Sequence, residues 1–254
     1  MRVLVIIPTY NERENIQSLG EAVLAQDERI DLLIVDDGSP DGTGDLVDAM
    51  AAESSRVRVI HRAAKQGLGT AYVAGFGYAL AHGYDRVVEM DADYSHRPED
   101  LPQLIAAADD ADVVVGSRNV PGGRAEDWSW LRHFVSKGGS IYARLLLGIP
   151  VKDCTSGFKC FRSAAIALLD LPALRSNGYA FQVEVNHACA TAGLRFAEVP
   201  IVFPDRVRGQ SKMSWRIAVE AAWLVLRLRL GITRAPLLRL SATPSLDVSS
   251  GHTP

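Results

Sequence analysis

Five short apolar runs, VLVII (3–7), DLLIVDD (31–37), VRVIH (57–61), RVVEM (86–90) and DVVVG (112–116), constrain this chain most. They are apolar almost continuously rather than on alternate residues, as strands buried on both faces are. The segments between them carry apolar residues at helical spacing; residues 11–26, for example, place Ile16, Leu19 and Val23 on one face. Further helices are expected near 43–53, 70–82 and 98–109. Strands alternating with helices imply a mainly parallel central sheet with helices on both faces, an α/β Rossmann-like architecture. Ligands of such sheets lie beyond the carboxyl ends of the strands. Residues 8–12, 36–41, 91–96 and 116–118 are therefore expected along one edge.

After Arg118 the rhythm changes. A loop leads to an amphipathic helix over 130–147, then to strands at 158–162 and 196–201 around a helix near 181–192. A last helix over 215–230 has Ser214 as its N-cap and Gly231 as its C-cap. We expect one domain over 1–235 and a disordered Ser/Thr/Pro-rich tail over 236–254.

Composition narrows the function. The net charge of -3 argues against general nucleic-acid binding. Three cysteines without a CxxC pair suit a reducing, cytoplasmic compartment. No signal-peptide pattern and no run of about 20 apolar residues is present, so the chain is expected to be soluble or to lie on a membrane surface.

The chemistry concentrates in VVEMDADYSH (87–96). Residues i and i+2 of an extended chain share a side, so Asp91 and Asp93 are expected to aim two carboxylates at one spot. Such carboxylates repel unless a cation lies between them. Mg²⁺ binds through one or two carboxylates and completes its shell with water and substrate phosphates. A turn carrying two caps would leave the same pattern. A second acidic cluster, VDDGSPDG, ends the second strand, where carboxylates suit the N–H and O–H groups of a base or ribose. GxGxxG, HExxH, GxSxG, P-loop and zinc spacings are all absent.

PTYNERENI, DDGSPDGT, KQGLGTAY, MDADYSH, GSR, SGFKCFR and DRVRGQSK follow one another in an order that resembles glycosyltransferase family 2. More narrowly, the chain is similar to the dolichol-phosphate (polyprenol-phosphate) mannosyltransferases. The resemblance spans about residues 3–215 and implies a GT-A nucleotide-sugar fold, a GDP-mannose donor and Mg²⁺ or Mn²⁺. By position it implies donor contacts from Pro8, Tyr10, Glu12, Val35, Asp37, Asp91, Ala92, Asp93, Arg118, Arg206 and Lys212. Asp91 and Asp93 match metal-meeting positions, with Ser95 where some relatives carry a further ligand. Arg118, Arg132 and Ser136 match positions receiving the acceptor phosphate. Inversion at the anomeric carbon is implied as well.

Charge distribution agrees with that outline. Between Arg206 and Arg239 there are eight Lys/Arg and one acid, Glu220. Arg206 and Lys212 fall in a Gly/Ser-containing loop suited to closing over phosphates. Arg132 and Ser136, four residues apart, share a helical face. The apolar stripe of that helix would ordinarily pack on the core. Trp128, Trp130, Phe134 and Tyr142, interleaved with Arg124, Arg132, Lys137 and Arg144, equally suit a membrane interface, as do Trp215, Trp223 and the leucines of the last helix. The expected partners are GDP-mannose, a polyprenyl phosphate, the cytoplasmic membrane face and a separate anchor subunit. His96, Asp153 and Glu184 are secondary candidates: His96 as a metal-loop or helix-start residue, Asp153 to orient Arg132 or another cation, Glu184 to face the site from a helix or to make a salt bridge. A transferase using a UDP-sugar and a non-catalytic sugar-nucleotide-binding scaffold are the alternatives.

Overall fold

The computed structural model describes residues 1–126, 128–174, 176, 178–204, 215–233 and 235–238. Parallel strands β1 (Val3–Thr9), β2 (Ile30–Asp36), β3 (Val57–His61) and β4 (Arg86–Glu89) alternate with α1 (Arg13–Leu24), α2 (Thr43–Glu53) and α3 (Leu68–Ala81). The chain continues through α4 (Leu101–Ala107), β5 (Val113–Ser117), a two-residue strand β6 (Arg124–Ala125) and α5 (Trp130–Leu147). Strand β7 (Lys159–Arg162), the short α6 (Ser163–Ile166), α7 (Gly178–Thr191), β8 (Phe196–Pro200), β9 (Val202–Phe203) and α8 (Trp215–Arg229) complete it.

Seven strands form one sheet in the order β3-β2-β1-β4-β7-β5-β8. Continuous apolar strands at its centre separate two cores. Leu4, Ile6, Val87, Val113 and Phe161 pack on one face, and Val3, Val5, Val88, Val114 and Cys160 on the other. Gly75 lets α3 press on β1, since a Cβ there would stand 2.5 Å from Ile6 Cδ1. Strand β7 runs antiparallel to both neighbours, β4 and β5, and so joins the two parallel halves.

Three expectations need revision. The β4 ladder ends at Glu89 and residues 92–96 bend, with Tyr94 in the left-handed region at φ 61°. The extended-chain argument for Asp91 and Asp93 therefore fails, although both stay at the sheet edge. Helix α5 leaves much of its bulk outside: Phe134 and Leu145 are 71% and 73% exposed, while Ser140 and Ala143 face inward and Leu146 and Leu147 are partly buried against the core. Small inward residues let α5 sit close to the body and turn its bulk outward. The start of the expected tail is ordered, because Leu237 pairs with Leu169 and Asp170 N–H donates to the Pro236 carbonyl. From residue 239 on, the expected tail lies outside the described residues. Ser214 does too, whereas Gly231 (φ 69°) closes the last helix as expected.

Candidate active site

The acidic edge is organised by its neighbours. Asp93 is buried, and its Oδ1 accepts from the backbone N–H and the hydroxyl of Ser95, itself buried. Ser95, expected as a ligand, thus holds Asp93 in place. The Asp91 side chain is 29% exposed, and its Oδ1 accepts from Tyr72 Oη at 3.4 Å. His96 is buried and stacked on Phe158; its Nδ1 accepts from the Asp91 backbone N–H at 3.0 Å. Gly157 keeps the space beside Asp91 open, for a Cβ there would stand 3.9 Å from Oδ2. Among the described residues no group of three or more His, Cys, Asp or Glu could hold a metal alone. Two anchored carboxylates at the sheet edge fit a divalent ion that shares its shell with a ligand's phosphates. Asp91 and Asp93 would hold it.

Beneath Asp91 the sequence hid a polar cluster. Glu89 is buried, in register with Lys159 of β7. Lys159 Nζ donates to the Gln182 carbonyl at 3.3 Å and to Gln182 Oε1. The Gln182 amide lies beside Glu89 without closing a hydrogen bond, so both Glu89 oxygens lack one. Burial pushes Glu89 up to about 7 against the pull of Lys159, and pushes Lys159 below its ordinary value. The strand looked merely apolar because Glu89 finds its counter-charge only across the sheet.

The ends of β1 and β2 form the next stretch of the edge. Thr9 Oγ1 and Ser39 Oγ both donate to Asp36 Oδ1. Asp37 pairs with Arg62, and its Oδ2 accepts from Gln66 and Gly67 N–H groups, which ties down the KQG loop. Arg62, not singled out from the sequence, also donates to Thr70 Oγ1 at 2.7 Å. The Val35 side chain is fully buried in the core and does not face the edge, so any contact there falls to its backbone. Pro8 and Tyr10 are half-buried at the end of β1, with Lys65 Nζ 4.1 Å from the Tyr10 ring centre. Glu12 opens α1, accepting from Asn15 Nδ2 while its N–H donates to Thr43 Oγ1. Ala92 is buried between the two acids.

Opposite this edge lies a basic cavity of about 490 Å³, lined by Arg118, Arg124, His133, Ser136, Lys137 and Lys152. Arg118 follows β5 and is locked to Asp153, with Nε to Oδ2 at 2.8 Å and Nη2 to Oδ1 at 2.7 Å. Burial works against both charges, but each outweighs it for the other: Arg118 is held above and Asp153 below its usual value. Asp91 adds to the field at Arg118, so acidic edge and basic cavity lie within electrostatic reach. The cation that Asp153 orients is Arg118. Arg132 lies instead with its Cζ 4.0 Å from the Trp128 ring centre. Trp128, expected at a membrane interface, is turned inward against Arg118 and Phe203.

Beside the basic cavity, an apolar one of about 100 Å³ opens between α5, α7 and α8, with Val135, Tyr142, Tyr179 and Val225 in its walls. Trp128 and Ser136 line both. Glu184 is buried on α7 and its Oε2 accepts from Ser176 N–H. Arg206 and Lys212 lie outside the described residues.

The arrangement sets an acidic edge near a basic pocket with an apolar annex. Comparison with known proteins gives the family. The Glycosyl transferase family 2 profile matches residues 4–169. An undecaprenyl-phosphate mannosyltransferase of Micrococcus luteus is 48% identical over 244 residues, 91% of this chain and 100% of that protein. A polyprenol monophosphomannose synthase of Mycolicibacterium smegmatis is 47% identical over 88% of this chain and 85% of its own. Among solved structures, mannosyltransferase PcManGT from Pyrobaculum calidifontis, in complex with GDP-Man and Mn²⁺, aligns with a TM-score of 0.62 at 19% identity, covering 92% of this chain and 66% of that one. Glucosyl-3-phosphoglycerate synthase from Mycobacterium tuberculosis aligns with a TM-score of 0.63 at 18% identity, covering 91% and 80%. The fold is thus of the GT-A type, and the chain is an enzyme that belongs to glycosyl transferase family 2.

Proposed function

We propose that this chain transfers mannose from GDP-mannose to a polyprenyl phosphate, with inversion at the anomeric carbon, at the cytoplasmic face of a membrane. One arrangement carries the reading: the Asp91/Asp93 edge lies within electrostatic reach of a basic cavity that shares Trp128 and Ser136 with an apolar one. A nucleoside diphosphate sugar needs the first, and a phosphate borne on a hydrocarbon needs the other two. The names of the two bacterial relatives support this choice of sugar and acceptor.

In the reaction a phosphate oxygen bonds to the anomeric carbon of mannose as its bond to GDP breaks, and GDP departs. Bound at Asp91 and Asp93, Mg²⁺ or Mn²⁺ supplies charge stabilisation for the leaving diphosphate. Arg206 and Lys212 serve the same charge. Pro8, Tyr10, Glu12, Asp37 and the backbones of Val35 and Ala92 shape the donor cleft. Arg118, fixed by Asp153, and Ser136 receive the acceptor phosphate, with Arg132 alongside. A phosphate monoester, with its second pKa near about 6, is already ionised at neutral pH, so no side chain must remove a proton. The exposed apolar faces of α5 and α8 rest on the bilayer, with or without a separate anchor subunit.

The test is incubation of the purified protein with labelled GDP-mannose or UDP-glucose, Mg²⁺ or Mn²⁺, and a panel of polyprenyl phosphates. Labelled mannose in the lipid phase, dependent on metal, is expected. Transfer from UDP-glucose alone, or no transfer from any donor, would reject the proposal.

A further inference from the structure

The two arginines of the basic side share one aromatic support. Arg118 Cζ lies 5.2 Å from the Trp128 ring centre and Arg132 Cζ lies 4.0 Å from it. Trp128 in turn meets Phe203 edge to face, at 5.4 Å and 80°. Phe203 touches Arg118 as well, at 5.1 Å, and reaches the metal loop through His96, at 5.5 Å and 75°. His96 holds the Asp91 backbone N–H. A continuous row therefore runs from Arg132 through Trp128, Phe203 and His96 to Asp91.

The row is held by backbone. Strands β6 and β9 pair in parallel, with Arg124 N–H donating to the Ile201 carbonyl and Glu126 N–H to that of Phe203. That short ladder brings the start of α5 and the segment after β8 together. Packing alone does not account for an indole at position 128. Its Nε1 is buried without a hydrogen-bond partner among the described residues, a cost that phenylalanine would avoid. What a large ring supplies is a quadrupole that attracts guanidinium groups, most strongly for tryptophan.

We propose that Trp128, braced by Phe203, is a positioning residue that sets Arg118 and Arg132 at the separation an acceptor phosphate monoester requires, and that Phe203 and His96 fix this cradle relative to Asp91. Asp153 already fixes Arg118, and the ring sets Arg132 near it despite their like charges. Their shared ring keeps them together in the empty site, so binding need not order them. This deepens, and rests on, the proposed polyprenyl-phosphate transfer.

The experiment measures KM for each substrate and kcat in Trp128→Ala, Trp128→Phe and Phe203→Leu, with thermal unfolding as a control. Loss of two cation–π contacts is expected to raise the acceptor KM roughly ten-fold in Trp128→Ala and to leave the GDP-mannose KM within about two-fold. Trp128→Phe should recover most of that loss. Phe203→Leu, which also frees His96, should lower kcat as well. Calorimetric binding of farnesyl phosphate to the same proteins reads the cradle without turnover, and about ten-fold weaker binding in Trp128→Ala is expected. If Trp128→Ala does not fold, Trp128→Leu carries the same comparison. Unchanged acceptor KM and farnesyl phosphate affinity would overturn the inference, as would a parallel rise in both KM values together with a lowered melting temperature. A wild-type protein that binds farnesyl phosphate through Trp128 but transfers no mannose would sink the functional reading and leave this one standing.

Discussion

The donor edge and the acceptor side are built on opposite plans. On the donor edge, functional groups sit at the ends of buried strands and are fixed by hydrogen bonds and an ion pair: Ser95 on Asp93, Thr9 and Ser39 on Asp36, Arg62 on Asp37. On the acceptor side Arg118 follows a strand, Arg132 stands on a helix whose bulk faces outward, and a buried carboxylate, Asp153, and the Trp128 ring lie against them. A sugar nucleotide is small and soluble and can be met by a rigid rim. A lipid phosphate arrives from a surface, so its receiver must be both exposed and pre-set. The contrast teaches that both halves use a buried charge pair, but precision comes from strand ends in one and from a shared aromatic ring in the other.

The largest effect should come from the rigid rim. Asp93→Ala removes half of the carboxylate pair that would hold the metal, and with it stabilisation of the departing diphosphate. Loss of one such contribution costs about 10²–10³-fold in kcat. The Asp93 carboxylate accepts from the N–H and hydroxyl of Ser95 within its own loop, so folding should survive. Radiolabel transfer and a melting curve check this. Turnover near wild type would break the assignment of the rim to donor chemistry.

On the acceptor side, Asp153→Ala should harm folding and transfer together. The carboxylate is fully buried and doubly bonded to Arg118. Leaving a buried guanidinium without its counter-charge costs about 3–5 kcal/mol. The pH dependence follows from Asp153 being held below its ordinary value of 3.8. A carboxyl lowered in the folded state contributes stability that is complete above the unfolded value and lost as pH falls through the folded one. The advantage of wild type over Asp153→Ala in urea unfolding should therefore be constant above about pH 5 and narrow below about pH 4. A gap that persists unchanged at pH 3 would mean that the pair is not what holds this region.

The same division explains what could be read from the sequence. Buried parallel strands announce themselves as continuous apolar runs, so β1, β2, β3 and β5 and the edge they share were predictable from composition and spacing alone. Strand β7 could be placed, but not its direction, because KCFR carries a lysine whose burial makes sense only opposite Glu89. Asp91 and Asp93 were legible as residues, yet the reason first given for their convergence was wrong: the chain bends after Glu89 instead of extending. Trp128 misled more seriously. An indole among arginines reads equally well as a membrane residue or a support for guanidinium groups. Only the two-residue ladder of β6 with β9 decides between them.

The smallest effect on stability tests the outward face. Trp130, Phe134 and Leu145 on α5 and Trp223 on α8 are all more than half exposed, so replacing them removes little packing. Substitutions of this kind usually change stability by less than about 0.5 kcal/mol. No helix among the described residues is long and apolar enough to cross a membrane, and the attachment proposed above is through these faces. Arg144 on α5 and Arg227 and Arg229 on α8 flank them and favour an anionic bilayer. Trp130→Ser with Phe134→Ser and Trp223→Ser should thus abolish flotation with anionic vesicles and preserve the melting temperature. Transfer to a detergent-dispersed short-chain acceptor should persist, because the acidic edge and basic cavity are untouched. If flotation survives the triple change, the outward bulk of α5 and α8 serves some other contact, and the acceptor side loses the feature that separates it from the rim.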